Sequence, residues 1–447
     1  MVWTITKREI HDNLLSSRFA LATILCLILI VLGTYISIKD YEKRMDEYSI
    51  GVQKQKGPRA AYGPKVYRKP EVLGIFGQGL ERRLGMVAKY GEYRSRGMIV
   101  LTGEMGIFGG RQSAYLSSLA SIDFNFVVRV VMSLLAIFLA YDAVSGEREV
   151  GVLKLSLANS VPRAHILMGK FLGGVFCLVI PLIMSSIVAL LAMQLSDAVE
   201  LGAAEWGRLG IILLLSMLYL AMFYAVGLFV SCITKRATTT LIVSMLIWIL
   251  LVVIIPNVGP AMVKRFRHRM SRDEMVGQTA KIHADYSERF KKKFGSPTDY
   301  WDDTEETERQ KDEHRLELSN ALSKLSQEHT RELDRETGAG RWIARFSPAS
   351  AFSFASSTFA RTDIGTYKRF RESVKVIFNK AHIFQKMSRK ERRKQDKLHN
   401  DYEYSFKMSE ALADSFSDAA PDIILLLLSG AIFFMGAYVS FIKYDVR

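Results

Sequence analysis

Six stretches of this chain, residues 19–37, 126–141, 167–195, 209–231, 239–255 and 423–442, are each apolar for long enough to cross a bilayer. A helix needs about 20 mostly apolar residues to span a hydrocarbon core about 30 Å thick. Runs such as LATILCLILIVLG, IVSMLIWILLVVII and IILLLLSGAIFFMGAYVSFI have no polar face, whereas a helix at the surface of a soluble domain would show one. Of the 447 residues 49% are apolar and 23% charged, and the two kinds are segregated along the chain rather than mixed. The chain reads as an all-α polytopic membrane protein: six transmembrane helices, a small mixed external insert and a large, mainly helical external insert.

The first apolar block follows Lys7, Arg8 and Arg18, as a secretory signal would, but its apolar part exceeds the usual signal core and no small-x-small cleavage site follows GTYISIKDYEK. It reads as a retained first span, preceded by the amphipathic stretch WTITKREIHDNLLSSRF, an elbow helix along the membrane surface. Orientation follows from the short loops. Residues 145–170 carry Arg148, Lys154, Arg163 and Lys170 against Glu147 and Glu149, and Lys235 and Arg236 follow the fourth span, whereas residues 196–208 hold Asp197, Glu200 and Glu205 against one arginine. Basic short loops stay inside, so a multi-pass protein of the cell membrane with both termini cytoplasmic is expected. The resulting divisions are 1–37, elbow and first span; 38–125, external insert; 126–255, spans two to five with a cytoplasmic helix at 145–163; 256–422, external helical insert with a hairpin; and 423–447, last span and tail.

KDYEKRMDEYS extends the first helix outward, and the rest of the first insert contains two related fragments, GIFGQG (74–79) and GIFGGR (106–111). Both lack the lysine and hydroxyl ending of a phosphate loop and read as turns carrying an anchoring aromatic. In the second insert, residues 262–294 and 304–337 are rich in Glu, Lys, Arg, Gln and Leu and are broken by GSPTDYWDD, which predicts a helical hairpin. Leu316, Leu322 and Leu325 either pack against the sister helix or face an extracytoplasmic partner. RWIARFSPASAFSFASSTFA is too apolar for an exposed helix and is expected in the outer interface or folded back on the spans. The cluster KMSRKERRKQDK (386–397) reads as a solvated face, with anionic lipid or substrate as the alternative. Arg129, near the start of the second span, either snorkels to the head groups or lines a path through the protein.

The formal charge of +15 accompanies no nucleic-acid recognition motif, so contacts with membrane lipids are expected and nucleic acid is not. Eight histidines are widely spaced, there is no HExxH and no cysteine pair at zinc spacing, and Cys26, Cys177 and Cys232 lie in or at the edge of spans. No metal, bound cofactor or catalytic residue is expected. A P-loop is absent, so energy for any active transport must come from elsewhere.

The cytoplasmic loop YDAVSGEREVGVLKLSLANSVPRAHILMGKF (141–171) is the most informative segment. It joins two spans directly, so force applied to it tilts both. Glu147, Arg148 and Glu149 are suited to electrostatic register with a partner, and Leu153 and Leu157, four apart, to anchoring in its groove; an interfacial helix touching only lipid is the alternative.

WTITKREIHDNLLSSRF, the loop SGEREVGVLKLSLANSVPRAHILMGK, the Pro256–Asn257 pair after the fifth span and FSPAS at 346–350 together resemble permease subunits of ABC transporters of the type-2 exporter class, in the subgroup with large external inserts. That resemblance covers all six spans. It implies the six-helix fold of that class, a second permease copy or homologous permease, and separate cytoplasmic ABC ATP-binding subunits that hold ATP and Mg. It also implies that the segment after the second span is a coupling helix, in which Glu147, Arg148, Glu149, Gly151, Leu153, Leu157 and Arg163 contact the ATPase or set the shape of the loop. Val152 stands where such permeases commonly carry threonine. A membrane scaffold that holds an envelope partner through the external hairpin is the alternative function.

Overall fold

The computed structural model describes residues 1–54, 65–79, 81, 87–90, 99–101, 123–154, 161–258, 272–294, 305–386, 405–406 and 411–443. Helix α1, Val2–Leu14, precedes α2, Ser17–Lys54, which runs well past the apolar block because KDYEKRMDEYS continues it. The next long helices are α3, Phe124–Val150, α4, Arg163–Gln194, α5, Ala203–Ile233, and α6, Ala237–Val258. Four further helices follow, α7, Arg272–Phe294, α8, Glu305–Ala344, α9, Pro348–Phe359, and α10, Ile364–Lys386, and then α11, Leu412–Ile442. Among the described residues helices α2, α3, α4, α5, α6 and α11 are the six long and apolar enough to cross a membrane, and each carries one of the six apolar blocks, that of α4 running one residue past the helix to Leu195.

Helix α5 is the axis of the bundle, packed against α3, α4, α6, α9 and α11. Its Tyr219, Phe223 and Tyr224 are fully buried, and Tyr219 stacks on Phe352 with ring centroids 4.6 Å apart. All three cysteines are buried. Two spans contain a π-helical turn, Val127–Met132 in α3 and Ile249–Ile254 in α6. Such a turn widens the helix and frees carbonyls, and hydroxyls take them up. Arg129 O accepts from Ser133 Oγ at 2.6 Å and Tyr219 Oη at 2.8 Å, and Leu251 O accepts from Ser347 Oγ.

Ser347 also caps α9, accepting from the N–H groups of Ala349 and Ser350, with Pro348 at the first helical position. Ten of the twelve α9 residues are buried, against α5, α11 and the two π turns. The apolar stretch before residue 360 is thus folded back onto the spans. Arg208 of α5, 1% exposed, donates to Phe359 O at 3.3 Å and Ser415 Oγ at 2.8 Å, placing a cation at the carbonyl end of α9 and tying it to α11. Asp422 of α11 is 0% exposed and takes a forked contact from Arg345, 2.7 and 3.2 Å, and a third from Arg341 at 3.3 Å.

At this end of the bundle the two inserts meet in one four-stranded sheet. The strands are β1, Lys65–Arg68, β2, Val87–Tyr90, β3, Ile99–Leu101, and β4, Ser405–Phe406, in the order β3-β2-β1-β4. β1 pairs antiparallel with β2 and parallel with β4, the last strand coming from the second insert, which was expected to be mainly helical and for which no strand was singled out. Phe76 of GIFGQG is buried edge-on against Phe124; the related fragment at 106–111 lies outside the described residues. Helices α7 and α8 pack side by side through Tyr286, Phe290, Phe294 and His314. Leu322 and Leu325 of α8 are buried; the Leu316 side chain lies outside the described residues, as does all but the first residue of the basic cluster 386–397.

An ion network holds the insert end together. Arg44 of α2 bridges Asp40 and Glu81, both at 2.9 Å, Arg68 donates to Arg361 O at 2.8 Å, and Glu71 faces Arg361 at 3.9 Å. Burial first, and then the Glu81 carboxylate, push the Glu71 carboxyl up from its ordinary value of 4.5 to about 7, against the pull of Arg68, Arg361 and Arg208. The folded protein therefore holds this proton where the unfolded chain has released it. The contribution of Glu71 to stability is full below about pH 4.5 and is lost as pH rises to about 7. Comparing melting temperatures of wild type and Glu71→Gln across pH 4.5–8 checks this: the variant gains on wild type as pH rises. A constant difference across that range refutes it.

Candidate coupling site

The end of the bundle opposite the inserts gathers α1, the start of α4, the α5–α6 turn, the end of α11 and the loop after α3. After the apolar part of α3 the chain turns at residues 141–144 and forms a short helix, Ser145–Val150. Hydroxyls anchor its first turn. Ser231 Oγ accepts from Val144 N and Ser145 N, at 3.0 and 2.9 Å, and donates to Tyr141 O at 3.0 Å. Thr240 Oγ1 donates to Ser145 Oγ at 3.0 Å. These bonds cross from α3 to α5 and α6 in a buried setting, where unpaired polar groups are costly.

The three charged residues of the segment each reach a different helix. Glu147 Oε1 lies 2.8 Å from Lys170 Nζ of α4, and the same ammonium is 2.5 Å from Glu9 Oε1 of α1. Arg148 donates to Thr234 O and Cys232 O, at 2.7 and 3.1 Å, neutralising carbonyls left open at the end of α5. Glu149 accepts from Ala237 N at 3.1 Å, a carboxylate at the amino end of α6. Their charges are engaged within the chain, and of the three only Glu149 is exposed.

Gly151 ends the short helix in the left-handed conformation, φ 81°, with its N–H on Arg148 O at 3.2 Å. The helix expected over 145–163 is therefore broken at this glycine. Leu153, expected as an anchor for a partner, is 0% exposed within the chain's own core. Among the described residues of the segment the exposed apolar side chain is Val150, 78% exposed, with exposed Glu149 before it and exposed Lys154 four residues on. Leu157 lies outside the described residues. Arg163, at the start of α4, donates to Ile442 O at 2.6 Å, at the end of α11.

Helix α1 seats on α4 over two glycines one turn apart. A Cβ at Gly173 would stand 2.6 Å from Glu9 Cβ, and one at Gly169 2.7 Å from Ile5 Cγ2, so only glycine permits this approach. Thr6 Oγ1 donates to Gly169 O at 3.3 Å within that contact. Lys170, Glu9, Ser231 and Thr240 carry the junction, and none was singled out for it from the sequence. The available signal was a lysine and a Gly-x-x-x-Gly spacing at the head of an apolar block, where a cation needs a partner.

Among the described residues no three His, Cys, Asp or Glu side chains gather in a way that could hold a metal ion. What the geometry does show is connection: residues 145–150 are bonded directly to α4, α5 and α6, and through Lys170 to α1.

Comparison with known proteins bears on the family of the chain as a whole. A family profile described as ABC-2 family transporter protein matches residues 3–446, nearly the whole chain. A probable ABC transporter permease protein NosY of Pseudomonas aeruginosa is 40% identical over 103 residues, 22% of this chain and 37% of the relative. A protein of the same description from Stutzerimonas stutzeri is 39% identical over 118 residues, 26% of this chain and 41% of the relative. The chain thus spans about two fifths of the length of these curated relatives.

Proposed function

Because the chain belongs to the ABC-2 family of transporter proteins, we propose that it is the membrane permease subunit of an ATP-driven exporter, powered by a separate cytoplasmic ATP-binding subunit. It carries no ATPase motif of its own, as is general in this family's permease domains. ATP and Mg belong to the partner. The observation that carries the reading is the engagement of Glu147, Arg148 and Glu149 with three different helices, which makes a short surface segment the common handle of the bundle.

In this mechanism two permease copies each seat one ATPase subunit on the 145–154 segment, with Val150 and the flanking Glu149 and Lys154 as the contact. The basic short loops put this end in the cytoplasm. Nucleotide binding closes the ATPase pair and drives the two segments together. Lys170 passes the movement to α1 and α4, Arg148 to α5 and Glu149 to α6, so the spans exchange between inward- and outward-facing packing. Such an exchange requires only that nucleotide favour one of two packed states.

Val150→Asp tests this with little risk to the fold, because the side chain is exposed. Co-expressed with its ATP-binding subunit, the variant is expected to lose at least about tenfold in co-purified ATPase, roughly 1.4 kcal/mol of association, at an unchanged melting temperature. Undiminished co-purification and turnover would remove the segment from the coupling role.

A further inference from the structure

We propose that Arg129 and Arg341, which contact the two half-buried residues of α9, form a binding site for a phosphate group presented at the insert-side edge of the bilayer. Both guanidinium groups are half-buried. Arg129 Nη1 donates to Ser353 Oγ at 3.2 Å, and Arg341 lies over the Phe354 ring, its Cζ 4.9 Å from the centroid. Ser353 and Phe354 are consecutive and are the two α9 residues that are not fully buried, so the two arginines contact neighbouring residues on one half-buried turn of α9.

Charge is unbalanced there. Asp422 is shared by Arg341 and Arg345, and Arg345 holds both of its oxygens. The Asp123 carboxylate accepts from Gln78 N at 2.9 Å and Phe126 N at 2.7 Å and is only a more distant counter-charge to Arg129. Arg129 has no carboxylate in ion-pair reach among the described residues. The Nε–H groups of both Arg129 and Arg341 are buried and have no acceptor among the described residues. A buried donor without an acceptor costs about 1–3 kcal/mol, and an oxyanion with several acceptor oxygens is the group that a guanidinium fork fits best.

Depth selects the anion. Arg129 stands at the start of the apolar stretch 126–141, and Asp422, the partner of Arg341, directly precedes 423–442, so the two arginines lie where hydrocarbon gives way to head groups. A phosphodiester of a lipid reaches this level with its chains along the exposed face of α6. A soluble phosphate ester would enter from the insert side.

Native mass spectrometry of the purified full chain in detergent, with added phosphatidylglycerol, decides the matter without nucleotide or ATPase, and so independently of transport. Wild type is expected to retain one phosphatidylglycerol at an occupancy at least about tenfold above Arg129→Gln and Arg341→Gln, while Arg129→Lys keeps part of it. Diacylglycerol, which has the same chains and no phosphate, is expected not to bind. Millimolar inorganic phosphate in competition names the source: displacement assigns a site open to soluble phosphate esters, and persistence assigns a lipid head-group site. Equal retention by wild type and the glutamine variants, or retention of diacylglycerol alongside phosphatidylglycerol, would overturn the site. Arg129→Gln leaves the Asp422–Arg345 pair untouched, so if Arg341→Gln fails to fold, Arg129→Gln alone decides.

Discussion

Asp422→Ala is expected to destabilise the protein by about 3–5 kcal/mol, the usual cost of removing one partner from a buried ion pair. The carboxylate is wholly buried and is the counter-charge of Arg345, itself 8% exposed, and of Arg341. Without it two guanidinium groups remain packed against Trp342 and Phe354 with no anion. The loss is expected as a drop in melting temperature and as early release of α8 and α9 from α11 in hydrogen exchange, with the opposite end of the bundle protected. Asp422→Leu combined with Arg345→Met separates charge from shape: it is expected to recover much of the lost stability, since a buried pair is commonly matched by an apolar pair of similar volume. If Asp422→Ala melts within a degree or two of wild type, Asp422 does not join hairpin to span.

Lys170→Met is expected to be nearly as damaging, and at the other end. Its ammonium, 4% exposed, is the shared cation of Glu9 and Glu147. Removing it leaves two carboxylates facing one vacated position between α1, α4 and the 145–150 helix, again a cost of about 3–5 kcal/mol. In the assembled complex, stimulation of ATP hydrolysis by the membrane subunit is expected to fall by an order of magnitude or more, while Val150 and its neighbours still bind the ATPase. Adding Glu9→Gln and Glu147→Gln to Lys170→Met removes the repulsion and is expected to restore stability but not stimulation. Restored stimulation would show that coupling does not run through this cation.

The spans were legible because hydrocarbon imposes a composition on every helix that crosses it, independent of what the helix touches. Each of the six long apolar helices carries its expected block, to within one residue. The segment 145–154 was legible as a place but not in its orientation. Periodicity made Leu153 and the three charged residues equally available to a partner; only the arrangement of α1, α4, α5 and α6 turns Leu153 inward and gives each charge an internal mate. Pairs such as Lys170 with Glu9, or Asp422 with Arg345, join residues far apart in the chain, and no local pattern carries that information. Strand β4 was invisible for the same reason, since two residues, Ser405 and Phe406, become a strand only against β1.

That last pairing sets an order of events during synthesis. β1 is translated before the second span, but its parallel neighbour leaves the ribosome only after the fifth. Until then the β1 edge stands open, with unpaired backbone groups able to recruit a foreign strand. A nascent chain stalled between residues 258 and 405 is therefore the form of this protein most exposed to capture or aggregation, and the form on which a folding helper on that side of the membrane has most to act.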